Sequence, residues 1–117
     1  MKGSVMPARE LMMIKTRKQL HIAATGRGRV RVRGTVAERG DGYSGTYRNV
    51  WLRIETTAGG VRVTASTKSP LGTMPEGSSV ELAVTMTGLV DVAESVYYGE
   101  RAQLLAWTPD ATIQAGV

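Results

Sequence analysis

The chain has no cysteine and a single histidine, His21. Disulfides and thiolate metal sites are therefore excluded, and a zinc site built on one imidazole is not expected. No apolar run approaches the length of a membrane span or of a secretory core; the longest near the start is Leu11-Met12-Met13-Ile14. No membrane partner is expected, and the default location is the cytoplasm. The carboxylates Glu38, Asp41 and Glu55 have no metal-binding or acid/base spacing. Ser44 and Ser66 lack a histidine partner for a triad, and Gly26-Arg27-Gly28 lacks the Gly-Lys-Ser/Thr ending of a phosphate loop. No catalytic residue, metal site or cofactor is expected, so an enzyme is not.

With 117 residues there is room for one domain that buries roughly two-thirds of its unfolded surface. The net charge of +5 hides an asymmetry. Residues 1–64 hold 13 Lys/Arg against 4 Asp/Glu, whereas residues 65–117 hold 2 against 6. Eleven of the basic residues are arginine. A genome rich in G and C explains the preference for Arg over Lys but not the clustering, which points to a polyanionic partner.

From Gly28 onward the pattern alternates with period 2, broken by Gly and Pro turns. In a first strand Val30, Val32 and Val36 share the inward face, and Arg29, Arg31 and Arg33 stand outward. Gly40 to Gly45 reads as a flexible loop. In the second strand, Arg48 to Thr57, Val50, Leu52 and Ile54 point inward while Trp51, Arg53 and Glu55 point outward. Ala58-Gly59-Gly60 then reads as a hairpin turn. A third strand places Val61 and Val63 opposite Arg62 and Thr64; residues 68–79 are a Gly/Pro-rich connector. Strand four covers Val80–Met86, a turn follows at 89–96, and strand five runs from Tyr97 to Trp107. Tyr97, Tyr98 and Trp107 are assigned to core or rim.

Three segments result: an N-terminal extension over 1–27, a barrel over 28–107 and a tail over 108–117. In the extension, Ala8–Lys15 favours a helix by propensity, and Lys18–Ala23 reads equally as an extra strand. Met12 and Met13 offer alternative translation starts.

The run RGTVAERGDGYSGTYRNVWLRIETTAGGVRVTAST followed by MPEGSSVELAVTMTG resembles an OB-fold nucleic-acid-binding domain, particularly small single-stranded DNA-binding proteins of phage and plasmid systems. Gly34 fits the glycine before the curl of strand one, Tyr43 and Tyr47 an aromatic first loop, and Pro75-Glu76-Gly77 the turn before strand four. The C terminus, Thr112 to Val117, lacks the acidic tail of housekeeping single-strand binders, so that recruiting role is not carried over. The expected fold is an all-β, five-stranded OB-type Greek-key barrel with a short N-terminal helix or extra strand.

The resemblance implies sequence-independent binding of single-stranded DNA in phage or mobile-element replication or recombination. The expected interface is the outward row Arg29, Arg31 and Arg33 beside Trp51, Arg53, Arg62 and Thr64, with Tyr43, Tyr47 and Arg48 closing over the strand. Guanidinium groups pair with phosphate and an exposed indole stacks on bases. Five engaged phosphates predict a log–log salt slope near about −3.5, at about −0.7 each. RNA binding and a protein-interacting or self-associating barrel are the alternatives, with an SH3-like barrel or small sandwich as the other folds.

Overall fold

Thr16-Arg17-Lys18-Gln19 starts the one α-helix among the described residues, α1 (Arg17–Gly26). The Thr16 hydroxyl accepts from the Gln19 amide, and the Gln19 side chain accepts from the Thr16 amide, so two otherwise orphaned donors are satisfied. Arg27 ends the helix in the left-handed conformation, and its amide donates to the Ala24 carbonyl. The computed structural model describes residues 7–108. The expected helix over Ala8–Lys15 is instead a single 3₁₀ turn at Ala8–Glu10 followed by extended chain, and Lys18–Ala23 is helix rather than strand. Propensity lost here to tertiary pairing. Met12 and Ile14 bond both backbone groups of Arg31, which closes an edge that no other strand covers and buries Ile14.

Five strands follow: β1 (Arg29–Ser44), β2 (Tyr47–Thr56), β3 (Gly59–Ser66), β4 (Ser79–Asp91) and β5 (Val96–Thr108). They close into a barrel in the order β1-β2-β3-β5-β4, the expected OB-type Greek-key arrangement. All neighbours are antiparallel except β3 and β5, which run parallel over Gly60–Arg62 and Val96–Tyr98. Residues 40–44, expected as a loop, continue β1 to a hairpin turn at Gly45 and Thr46. The expected turn at 89–96 narrows to Val92–Ser95. The tail expected over 108–117 begins with the last residue of β5; its remainder, and residues 1–6 of the extension, lie outside the described residues.

β1 serves two walls of the barrel. Arg29–Thr35 pair with β4, and Thr35–Ser44 pair with β2, with Ala37 bulged between the Val36 and Glu38 pairs. The crossing point demands Gly34: a Cβ there would lie 2.3 Å from the Glu55 carbonyl oxygen. The interior is the predicted set, including Val30, Val32, Val36, Val50, Leu52, Ile54, Val61, Val63, Leu82 and Val84, all buried. Leu20 from α1 closes the mouth near Gly59, the start of β3. At the other end of β3 a 3₁₀ turn, Leu71–Thr73, packs against Ser66 and buries Leu71. Arg39 fixes that turn by donating to the Gly72 and Met74 carbonyls.

Candidate nucleic-acid interface

The alternation runs as expected: the valines of β1 point inward, and Arg29, Arg31 and Arg33 point outward. The neighbours differ from the expectation. Across from these arginines stand Thr85, Ala83 and Glu81 of β4, not β2. Trp51 lies beside Gly40 of β1 and Thr64 of β3. Gly40 is seven residues beyond Arg33 along the strand, on the order of 20 Å at roughly 3.3 Å per residue. The outward residues therefore form two separate surfaces.

The first surface is the outer face of β2 and β3 with the second half of β1 and the start of β5. Trp51 and Arg53 of β2 meet Arg62 and Thr64 of β3 there, and the parallel pairing sets Tyr98 of β5 beside Arg62. The Trp51 indole lies across Gly40, where a Cβ would come within 2.6 Å of three ring atoms. The Arg62 guanidinium sits over the indole, 4.3 Å from its centroid, which forms a cation–π pair. Trp51, Arg53, Arg62 and Tyr98 line a recess of about 140 Å³, rimmed by Glu38, Asp91 and Glu94. Beyond one end, the β1–β2 hairpin carries Tyr43 and Tyr47, 69% and 79% exposed, with Arg48 within 3.9 Å of Asp41. By the register Tyr47 continues the Trp51 face, whereas Tyr43 and Arg48, paired with each other, alternate onto the other face of the hairpin.

Charge on this face is mixed. Arg53 donates to Glu38 at 2.8 Å and to Glu55, so its cation is spent within the protein. The hydrogen bond to Glu38 holds the guanidinium above its ordinary value; burial opposes this, and the charges of Glu55, Glu38 and Glu94 add to it. Arg62 has no ion-pair partner among the described residues. Tyr98, expected in core or rim, belongs here, as do Asp91 and Glu94, which the sequence does not single out; the β3–β5 pairing and the β4–β5 turn bring them in, and no local pattern announces either.

The second surface is the wall of the first half of β1 with β4 and β5. The Glu81 carboxylate receives Arg33 at 2.8 Å and Arg31 at 3.1 Å. The hydrogen bond from Arg33 draws its pKa below the ordinary carboxylate range against the effect of burial, with Arg31 contributing further. Arg31 also donates to the Leu11 carbonyl. Among the described residues Arg29 binds only neutral acceptors, the Thr85 hydroxyl and the Arg101 carbonyl, both at 3.0 Å. At the end of this wall Trp107, half exposed, borders a shallow groove of about 250 Å³ with Arg33, Ser79 and Glu81.

Among the described residues no cluster of His, Cys, Asp or Glu is arranged to hold a metal ion, and no helix is long and apolar enough to cross a membrane. His21 contacts the Tyr97 hydroxyl at 3.4 Å. Compared with family models, with curated proteins and with solved structures, the chain finds no match in any of the three.

Proposed function

We propose that the protein binds single-stranded DNA with little sequence preference, by stacking bases on the β2–β3 face, and that it is a binding module with no catalytic role. The observation that carries this reading is the grouping of Trp51, Arg62 and Tyr98 on that face, with Tyr43 and Tyr47 exposed on the adjoining hairpin. OB-type barrels take oligonucleotides on strands two and three and between the flanking hairpin loops. Every base has a π-face, so an indole and a planar guanidinium accept any sequence. Arg29, Arg31 and Arg33 lie outside this contact, which makes it one of stacking more than of charge.

The test is a fluorescence titration with oligo-dT in a Trp107→Phe background, where Trp51 is the only indole. Stacking predicts quenching on binding. Trp51→Ala in the otherwise native chain loses roughly 5- to 150-fold in affinity, the equivalent of about 1–3 kcal/mol per stacked base, with an unchanged melting temperature. Unquenched Trp51 at saturating oligonucleotide would remove the reading. A matched RNA oligonucleotide as competitor assigns the preferred sugar.

A second reading is a protein-binding barrel. Leu89, Val90 and Val92 stand 66%, 43% and 80% exposed near the β4–β5 turn, beside Asp91 and Glu94. An apolar, acidic tip suits a basic or apolar protein partner better than a polyanion. It predicts concentration-dependent association that Leu89→Ser with Val92→Ser abolishes, and no response to oligonucleotide.

A further inference from the structure

We infer that the β1–β4–β5 wall is a second contact for the same strand: a phosphate track of Arg29, Arg31, Arg33 and Arg101 that ends in a base-sized groove at Trp107. This rests on the proposed single-strand binding and extends it to a surface outside the β2–β3 face.

The charge distribution is the first argument. On the β2–β3 face Arg53 and Arg62 stand against Glu38, Glu55, Asp91 and Glu94, a net of −2. On the wall Arg27, Arg29, Arg31, Arg33 and Arg101 stand against Glu81 and Glu100, a net of +3. The cations that a polyanion seeks are therefore on the wall. Arg31 and Arg33 share one carboxylate, Arg29 is held by neutral groups, and Arg101 has no side-chain partner among the described residues.

Ordinary structural roles do not account for this surplus. Charged rows often guard a sheet edge against aggregation. The open side of β1 is already covered at the middle of this row: both backbone groups of Arg31 are taken by Met12 and Ile14, while Ala83 of β4 stands beside it on the other side. Closing the β1–β4 seam electrostatically needs one arginine on Glu81, and two are present.

Geometry supplies the rest. Alternate residues of a strand repeat at about 6.6 Å, so the three arginines form an evenly spaced, directed row. Contacts to Thr85, Leu11 and Glu81 hold them in place before any ligand arrives. Arg33 remains 70% exposed, with donors to spare after its two bonds to Glu81. The row leads to the Arg33–Trp107 groove, where a base laid on the indole would set its phosphate at Arg33.

The test compares oligo-dT of about 6 nucleotides, near the short end of the roughly 4–16 that one OB fold covers, with oligo-dT of about 25, which exceeds that range. The variants are Arg29→Ala combined with Arg101→Asn (Arg101 is left-handed at φ 54°, which Asn tolerates) and, separately, Trp107→Ala. Thermal melts confirm folding, and Arg101→Asn alone stands in should the double variant melt early. The track predicts that the double variant loses about 10-fold on the long oligonucleotide, with a salt slope shallower by about 1.4 for two lost phosphates. Trp107→Ala weakens the long complex too, and both variants leave the short one unchanged. Unaltered long-oligonucleotide affinity and slope would overturn the inference, as would equal losses at both lengths. Trp51→Ala on the short oligonucleotide separates the two ideas: if it has no effect, the β2–β3 reading fails whatever the wall does.

Discussion

Two glycines of β1 do opposite work. At Gly34 a side chain would strike the Glu55 carbonyl oxygen at 2.3 Å, and backbone cannot swing aside. Gly34→Ala is expected to cost about 1–3 kcal/mol or more, in the range of overpacked cores, read as a lower urea midpoint at unchanged slope. At Gly40 the obstacle is the Trp51 ring, which can rotate away. Gly40→Ala should therefore keep most of the stability but lift the indole from its seat, so that oligo-dT affinity falls about as far as in Trp51→Ala and tryptophan emission shifts. Binding and folding separate at these two positions. Alternation made the outward direction of Trp51 legible, because burial of Leu52 and Ile54 forces it. What the indole rests on was not legible, since Gly40 read as loop when the next strand's register was unknown.

Elements were legible wherever a pattern is local. Strands two, three and five appear in the sequence within two residues of their bounds, strand four runs five residues past its expected end, and the core valines come with them. The helix was misplaced although its signature is present: Thr16 and Gln19 form a capping box, while Ala8 offers only propensity. The double use of β1 is a different matter, because a bulge at Ala37 and a crossing at Gly34 leave the alternation intact while changing the partner strand. That change carries Glu81 under Arg31 and Arg33, and a pH dependence follows. The folded pKa of Glu81 is below its unfolded value of about 4.3. Its stabilisation is thus complete above about pH 5 and disappears as the pH falls through the folded value. Glu81→Gln should lower stability at neutral pH by about 1–3 kcal/mol, as for a lost charged hydrogen bond. The gap to the native chain should close in acid, and melting curves between about pH 2 and 7 would show it. A gap that is constant with pH would mean that Glu81 contributes packing alone.

At the scale of the molecule, barrel closure decides where charge goes. The linear sequence groups the basic residues in one half, which suggests a single basic surface. Folding distributes that half over two walls, because β1 leaves β4 for β2 midway, and then brings acids of β4 and β5 onto the aromatic side through the parallel β3–β5 pairing. The Trp51–Tyr98 group and the net positive charge end on different faces. The consequence is measurable as a change in the salt law. Five phosphates on one face require a slope near about −3.5 for any oligonucleotide long enough to bind. Among the described residues of the β2–β3 face and its hairpin, Arg62 and Arg48 are left to meet phosphate, since Arg53 is paired twice and Arg48 has a distant contact to Asp41. Two phosphates at about −0.7 each give a slope near about −1.4 for a short oligo-dT. Titrations from about 50 to 200 mM salt should then weaken short-strand binding by about 7-fold, where five phosphates would weaken it by about 130-fold. A steep slope on the short strand would place the arginine row in the primary contact and remove stacking as the main source of affinity. A shallow one would mean that the barrel holds bases first and counts phosphates second.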